Sequence, residues 1–121
     1  MKVNNILLVE DDAILLFVNE KMLTQLGFTN IFTARTADEA IATAEKCNPD
    51  VILMDIRLIG DDDGIYAMEK IRNFSQAPVI YLSGNSDPAT FERAKNSGMH
   101  SFLTKPVSLE MLKETLAPFM Q

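Results

Sequence analysis

Cysteine and histidine are nearly absent from this sequence, tryptophan is absent altogether, and no stretch is strongly basic. Cys47 stands alone, so no internal disulfide can form, and without a Cys/His cluster there is no structural zinc site. It is expected to pack near the end of a helix. His100 is the single histidine, which leaves Ser-His-Asp catalysis and histidine-metal chemistry short of parts; it is expected in a loop or on the surface. No apolar run approaches the roughly 20 residues of a membrane span. The opening Met-Lys-Val-Asn-Asn lacks the apolar core of a signal peptide. The expectation is a soluble, cytoplasmic chain with no membrane contact. Acids outnumber bases 17 to 11, giving a net charge of −6. Direct nucleic-acid binding needs a phosphate-neutralising surface, and nothing here supplies one. Protein partners, or a small anion delivered with a metal, suit the balance better.

What is present has ordinary globular composition, 47% apolar and 23% charged. At 121 residues the chain can bury one core and is too short for two ordinary domains. Apolar strand-like runs alternate with segments of helical period. Ile6-Leu7-Leu8-Val9 reads as a strand, followed by a helix from Ala13 to Leu26 that stops at Gly27. Asn30 to Ala34 is a short second strand. Thr36 or Asp38 then opens a helix that closes before Asn48-Pro49. The third strand, Val51 to Met54, leads into a loop from Arg57 to Asp63 and a helix from Gly64 to about Asn73. Pro78 introduces the fourth strand. Asp87-Pro88 starts a helix that ends at Ser97-Gly98, with proline in the first turn. After the fifth strand, Ser108 caps a last helix that stops near Pro118. The pattern is (βα)5 without linker, repeat or low-complexity segment. It predicts an α/β fold with a doubly wound parallel sheet. Periodicity leaves strand order open: the first strand lies either beside the third or at the point where the winding reverses.

Four of the apolar strands run directly into reactive polar residues. The first ends in Glu10-Asp11-Asp12, the third in Asp55, the fourth in Ser83-Gly84 and the fifth in Lys105-Pro106. Ligands of open parallel sheets bind beyond the carboxyl ends of the strands, so these residues are expected to converge. Asp55 is the candidate nucleophile, since a carboxylate can attack phosphorus to form an acyl phosphate. Clustered carboxylates about 4 Å apart repel by roughly 4 kcal/mol at an effective dielectric of 20. Such a cluster needs a cation or a proton. Lys105 supplies one charge, and a hard divalent ion such as Mg²⁺, which takes carboxylates and phosphate oxygens, supplies two more. Asp12 is expected mainly to cap the first helix. Ser83 can donate to a phosphoryl oxygen and Lys105 can pair with one. Arg57 and Asn85, two residues past Asp55 and Ser83, could flank the group. Asp61-Asp62-Asp63-Gly64 resembles part of a calcium loop, but Ile59 and Lys70 stand where that loop needs ligands. The run is read as a solvated loop and helix start.

Together these motifs resemble the receiver domain of two-component response regulators over nearly the whole chain. The markers are Leu8-Val9-Glu10-Asp11-Asp12, Val51-Ile52-Leu53-Met54-Asp55, Tyr81-Leu82-Ser83-Gly84 and Leu103-Thr104-Lys105-Pro106. The resemblance implies one receiver domain over residues 1–121, with a flavodoxin-like strand order 2-1-3-4-5. It implies that Asp55 accepts a phosphoryl group from the phosphohistidine of a sensor histidine kinase or phosphotransfer protein. Mg²⁺, or Mn²⁺ in its place, would be held by Glu10, Asp11, Asp55 and the backbone carbonyl of Arg57. Ser83 and Phe102 would form a switch that alters the face of the fourth helix, fifth strand and fifth helix, changing the binding of a downstream protein partner. Arg57 and Asn85 would tune the lifetime of the phosphorylated form. The domain would catalyse only its own phosphorylation and dephosphorylation. The resemblance also implies a cis Lys105-Pro106 bond. Ser83 stands where threonine is usual, Phe102 lacks a hydroxyl, Ile59 occupies a frequent proline position, and Asp63-Gly64 arrives one residue late.

Two other classes fit the fold but not the residues. An aspartate-based phosphohydrolase wants a second aspartate two residues after the nucleophile, where this chain has Arg57. A flavodoxin-like electron carrier must cradle a phosphate in the first βα loop, where Glu10, Asp11 and Asp12 would repel it.

Overall fold

A computed structural model describes residues 5–84 and 87–120. The elements alternate as β1 (Ile6–Val9), α1 (Ala13–Gln25), β2 (Ile31–Ala34), α2 (Ala37–Cys47), β3 (Val51–Asp55), α3 (Gly64–Ile71), β4 (Val79–Ser83), α4 (Pro88–Asn96), β5 (Ser101–Thr104) and α5 (Leu109–Leu116), with a 3-10 turn at Ala117–Phe119. All strands are parallel, in the order β2-β1-β3-β4-β5. Five strands and five helices in that order match the expectation. The order places β1 where the winding reverses.

Burial explains the composition of the strands. β1, β3 and β4 are central and covered on both faces, so every residue in them is buried. Edge strands β2 and β5 are largely half-exposed, and their sequences are correspondingly mixed. Successive side chains point to opposite faces of the sheet. Leu7, Ile52, Met54 and Tyr81 therefore pack with Ala40 and Ala44 of α2, and with Ile65 and Met68 of α3. Ile6, Leu8, Leu53, Ile80 and Leu82 pack on the other side with Leu23 of α1 and with Leu112 and Leu116 of α5.

Caps fix where the helices begin. Asp12 accepts from the backbone N–H groups of Ile14 and Leu15 at 2.8 and 3.1 Å, so it caps α1 as expected. Thr36 rather than Asp38 caps α2, accepting from the Glu39 N–H at 3.1 Å. Asp63, Asp87 and Ser108 cap α3, α4 and α5 in the same way. Helix α3 ends at Ile71, two residues short of the expected stop. Cys47 is the last residue of α2 and His100 is exposed. The Lys105-Pro106 bond is cis. No described helix is long and apolar enough to cross a membrane.

Helix α1 departs from the usual division into inner and outer faces. Its first half, Ala13 to Val18, is apolar all round, and Ile14 and Phe17 are 74% and 61% exposed, with Leu15 and Val18 also partly exposed. Apolar periodicity therefore identified the helix without revealing which side faces water.

Candidate active site

Strand register brings the polar termini level. Val9 pairs with Met54, Asp55 with Leu82, and Ser83 with Thr104, so each strand delivers its next residue to the same edge. Backbone bonds continue past the strands: Ile56 N–H donates to Leu82 O at 3.0 Å, and Lys105 N–H donates to Ser83 O at 2.8 Å. Glu10 and Asp55 are 0% and 2% exposed, and Ser83 is 5% exposed.

One ammonium joins the two buried carboxylates. Lys105 Nζ lies 3.0 Å from Glu10 Oε1 and 2.8 Å from Asp55 Oδ2. Glu10, Asp11 and Asp55 can each offer a carboxylate oxygen, all within 4.8 Å of one another. Three carboxylates against one ammonium leave two negative charges, 3 − 1. A set of hard oxygen donors with uncompensated charge fits a divalent cation of the Mg²⁺ type.

The titration of these groups reflects the crowding. Burial, then the hydrogen bond and charge of Asp55, push the Glu10 carboxyl above its usual range. Burial and the neighbouring Glu10 raise Asp11 in the same direction. Burial pulls Lys105 down, but its bonds to Asp55 and Glu10 outweigh that and hold it above the usual lysine value.

A group whose pKa rises on folding takes up protons as the chain folds, and its stabilisation disappears as pH rises through the folded value. In metal-free buffer the domain should therefore lose stability as pH increases from about 4 through the raised pKa values of Glu10 and Asp11. Lys105 acts only above the ordinary lysine range and does not enter this window. Thermal melts across pH, with chelator, check this. Glu10→Gln should flatten the dependence, and a wild-type stability that climbs over the same window would contradict it.

Other expected residues lie around this centre. Arg57 is exposed and lines a cleft of about 250 Å³ with Ser83, Thr90 and Arg93. Phe102 on β5 is half-buried and meets Phe91 of α4 edge-on, with ring centroids 5.2 Å apart. Asn85 lies outside the described residues.

Three contacts were not foreseen. Arg35, between β2 and α2, donates from Nη2 to the Asp11 carbonyl at 2.7 Å, tying a neighbouring loop to the acidic pair. Asp63 not only starts α3 but also holds Arg93 of α4 through two bonds, of 2.9 and 3.3 Å. Tyr81, buried in β4, shares a 2.6 Å hydrogen bond with Ser97 at the end of α4. Each links residues distant in the chain, where spacing carries no signal.

Similarity to known proteins agrees with this geometry. The family described as the response regulator receiver domain matches residues 6–117. The transcriptional regulatory protein KdpE of Staphylococcus aureus is 32% identical over 110 residues, which cover 91% of this chain and 47% of KdpE. The chain thus spans about half the length of that relative. Among solved structures, the receiver domain of sensor histidine kinase PA1611 from Pseudomonas aeruginosa has a magnesium ion coordinated in its active-site cleft. It superposes with a TM-score of 0.84 at 32% identity, covering 96% of each chain. A CheX-CheY-BeF3-Mg²⁺ complex from Borrelia burgdorferi superposes with a TM-score of 0.86 at 25% identity, covering 97% of this chain and 90% of that one.

Proposed function

This chain belongs to the response regulator receiver domain family of two-component signalling, and from that premise we propose that Asp55 is its phosphoacceptor. The observation that carries the reading is the Lys105 ammonium held between Glu10 and Asp55 beside a three-carboxylate cluster. In the proposed transfer, an Asp55 oxygen attacks the phosphorus of a phosphohistidine. The new P–O bond forms as the P–N bond to imidazole breaks. Glu10, Asp11 and Asp55 would hold Mg²⁺, with the Arg57 carbonyl as a further ligand. When bound, the ion offsets charge on the transferring group. Lys105 pairs with a phosphoryl oxygen, and the Ser83 hydroxyl donates to another. Burial of Glu10 and Asp55 keeps bulk water from diluting these interactions. The donor would be a sensor histidine kinase or phosphotransfer protein, in line with the kinase receiver among the similar structures.

The phosphoryl group would serve as a signal and not as a substrate in turnover. Arg57 occupies the position where a phosphohydrolase would need its acid. Labelling with acetyl phosphate tests the reading: one phosphoryl group per chain is expected, dependent on Mg²⁺ and released by hydroxylamine. Failure to label in the presence of Mg²⁺ would overturn it.

Output would run through Ser83 and Phe102. Movement of Ser83 toward the phosphoryl group vacates space, and Phe102 fills it by leaving the edge of Phe91. That changes the apolar surface between α4 and β5, where a downstream partner would bind. Phe102→Ala should label at close to the wild-type rate while losing most of the phosphorylation-dependent change in partner affinity. Undiminished dependence in that variant, measured by titration of the partner, would show that packing at Phe102 is not the switch.

A further inference from the structure

We infer that Arg35 is a positioning residue for the cation carboxylates, acting through the Asp11–Asp12 peptide. Its guanidinium donates from Nη2 to the Asp11 carbonyl oxygen at 2.7 Å. At the other end of that peptide, the Asp12 N–H donates to Glu10 Oε2 at 3.2 Å. Both polar atoms of one peptide are therefore gripped, which fixes the backbone on the carboxyl side of Asp11. Glu10 N–H also donates to Ala34 O at 3.0 Å, so two successive residues at the end of β2 hold the connection from β1 to α1. Asp11 is the member of the acidic set that most needs this support. Glu10 and Asp55 are almost fully buried and bonded to Lys105, whereas Asp11 is half-buried and is not one of the carboxylates that Lys105 bonds.

The start of α2 holds Arg35 in this pose. Glu39 Oε1 accepts from the Arg35 N–H at 2.9 Å, while the Glu39 N–H donates to Thr36 Oγ1 at 3.1 Å. Such reciprocal bonds, much as in a capping box, fix the backbone from which the side chain leaves. A charged donor also makes a stronger bond to a carbonyl than a neutral one. The charge of Arg35 by itself acts the other way, because a fixed cation beside an acidic set opposes the approach of a metal ion. Salt screens that charge effect at an exposed guanidinium, whereas the direct 2.7 Å bond persists, so positioning prevails at physiological ionic strength. Removing a hydrogen-bond partner from behind a metal ligand typically weakens binding by about tenfold to a hundredfold. Arg35 is exposed, so a smaller factor of about fivefold is expected here. This role rests on the Mg²⁺ site proposed above.

Titration of Mg²⁺ into isotope-labelled protein, followed by amide NMR without a phosphodonor at about 0.15 M ionic strength, tests the inference. Arg35→Met should raise the dissociation constant about fivefold. Arg35→Lys, which keeps a donor on a shorter side chain, should raise it about twofold. In the metal-free protein the Asp12 amide resonance should move in Arg35→Met, because its own peptide loses a hydrogen bond. An unmoved Asp12 resonance, or a dissociation constant equal to or below that of wild type, would overturn the role of Arg35; a fall is what charge alone predicts. Absence of saturable Mg²⁺ shifts in wild type would instead overturn the cation site, and the role of Arg35 with it, so the two failures read differently. Acetyl phosphate labelling adds a kinetic check. Arg35→Met should need about five times more Mg²⁺ for half its maximal rate and still reach the wild-type maximum. A lowered maximum at saturating Mg²⁺ would place Arg35 in the transfer step and overturn its assignment to metal positioning.

Discussion

Asp55→Asn should reduce labelling by acetyl phosphate or a phosphohistidine donor to background while leaving the domain folded. Asparagine preserves the volume at the end of β3 and keeps an oxygen within reach of Lys105 Nζ, now 2.8 Å from Asp55 Oδ2. It removes the proposed anionic nucleophile, and the buried neighbour Glu10 is not free to substitute. Glu10 is fully buried, its Oε1 held by Lys105 and its Oε2 accepting from the Asp12 N–H at 3.2 Å. The fold should not suffer, because Asp55 is among the groups that raise the Glu10 carboxyl, and neutralising it relieves like-charge repulsion. The contrast is therefore complete loss of labelling with a thermal midpoint at or above wild type. Calorimetry beside the labelling assay checks both. Labelling close to wild type would remove Asp55 from its role.

Gly64→Ala should give the largest loss of stability among single substitutions at this edge. Gly64 opens α3, and its N–H donates to Ile56 O at 2.7 Å, pressing the helix start against the end of β3. A Cβ there would collide with the Asp55 carbonyl oxygen and stand 2.7 Å from Met54 Cγ. Backbone cannot yield as a flexible side chain does, so either α3 or the end of β3 must shift. Overpacking of this kind costs about 3 kcal/mol, or about 10 °C in thermal midpoint for a domain of this size. The shift would also displace Asp55, so the variant should label more slowly under conditions where it remains folded. A midpoint within about 2 °C of wild type, on the same scale, would mean that the approach of α3 to β3 is looser than described.

The fold was legible where burial writes itself into composition. β1, β3 and β4 are apolar because both faces are covered, and each stops where a polar residue emerges at the sheet edge. Strand order has no such imprint, since periodicity is the same whichever neighbour a strand has; it came from the resemblance. Within the site, Glu10, Asp55, Ser83 and Lys105 were identifiable as strand ends, and backbone register brings those ends together. The bridging geometry of Lys105 was not readable, because it depends on a side chain spanning 95 residues of sequence separation to Glu10. The same holds for Arg35 on the Asp11 carbonyl and for Arg93 on Asp63. Helix α1 failed differently. A helix whose first half is apolar on all sides conceals that Ile14 and Phe17 are exposed while Asn19 is buried.

The central claim is that one oxygen of one side chain takes the phosphoryl group, and chemical location of that group tests it most directly. Borohydride reduction of the phosphorylated protein converts an aspartyl phosphate to homoserine, which peptide mass spectrometry can assign to a single residue. Homoserine at position 55, dependent on prior phosphorylation, is the predicted result. Homoserine at position 11 or 12, or phosphate retained on Ser83 or Lys105 after reduction, would contradict it.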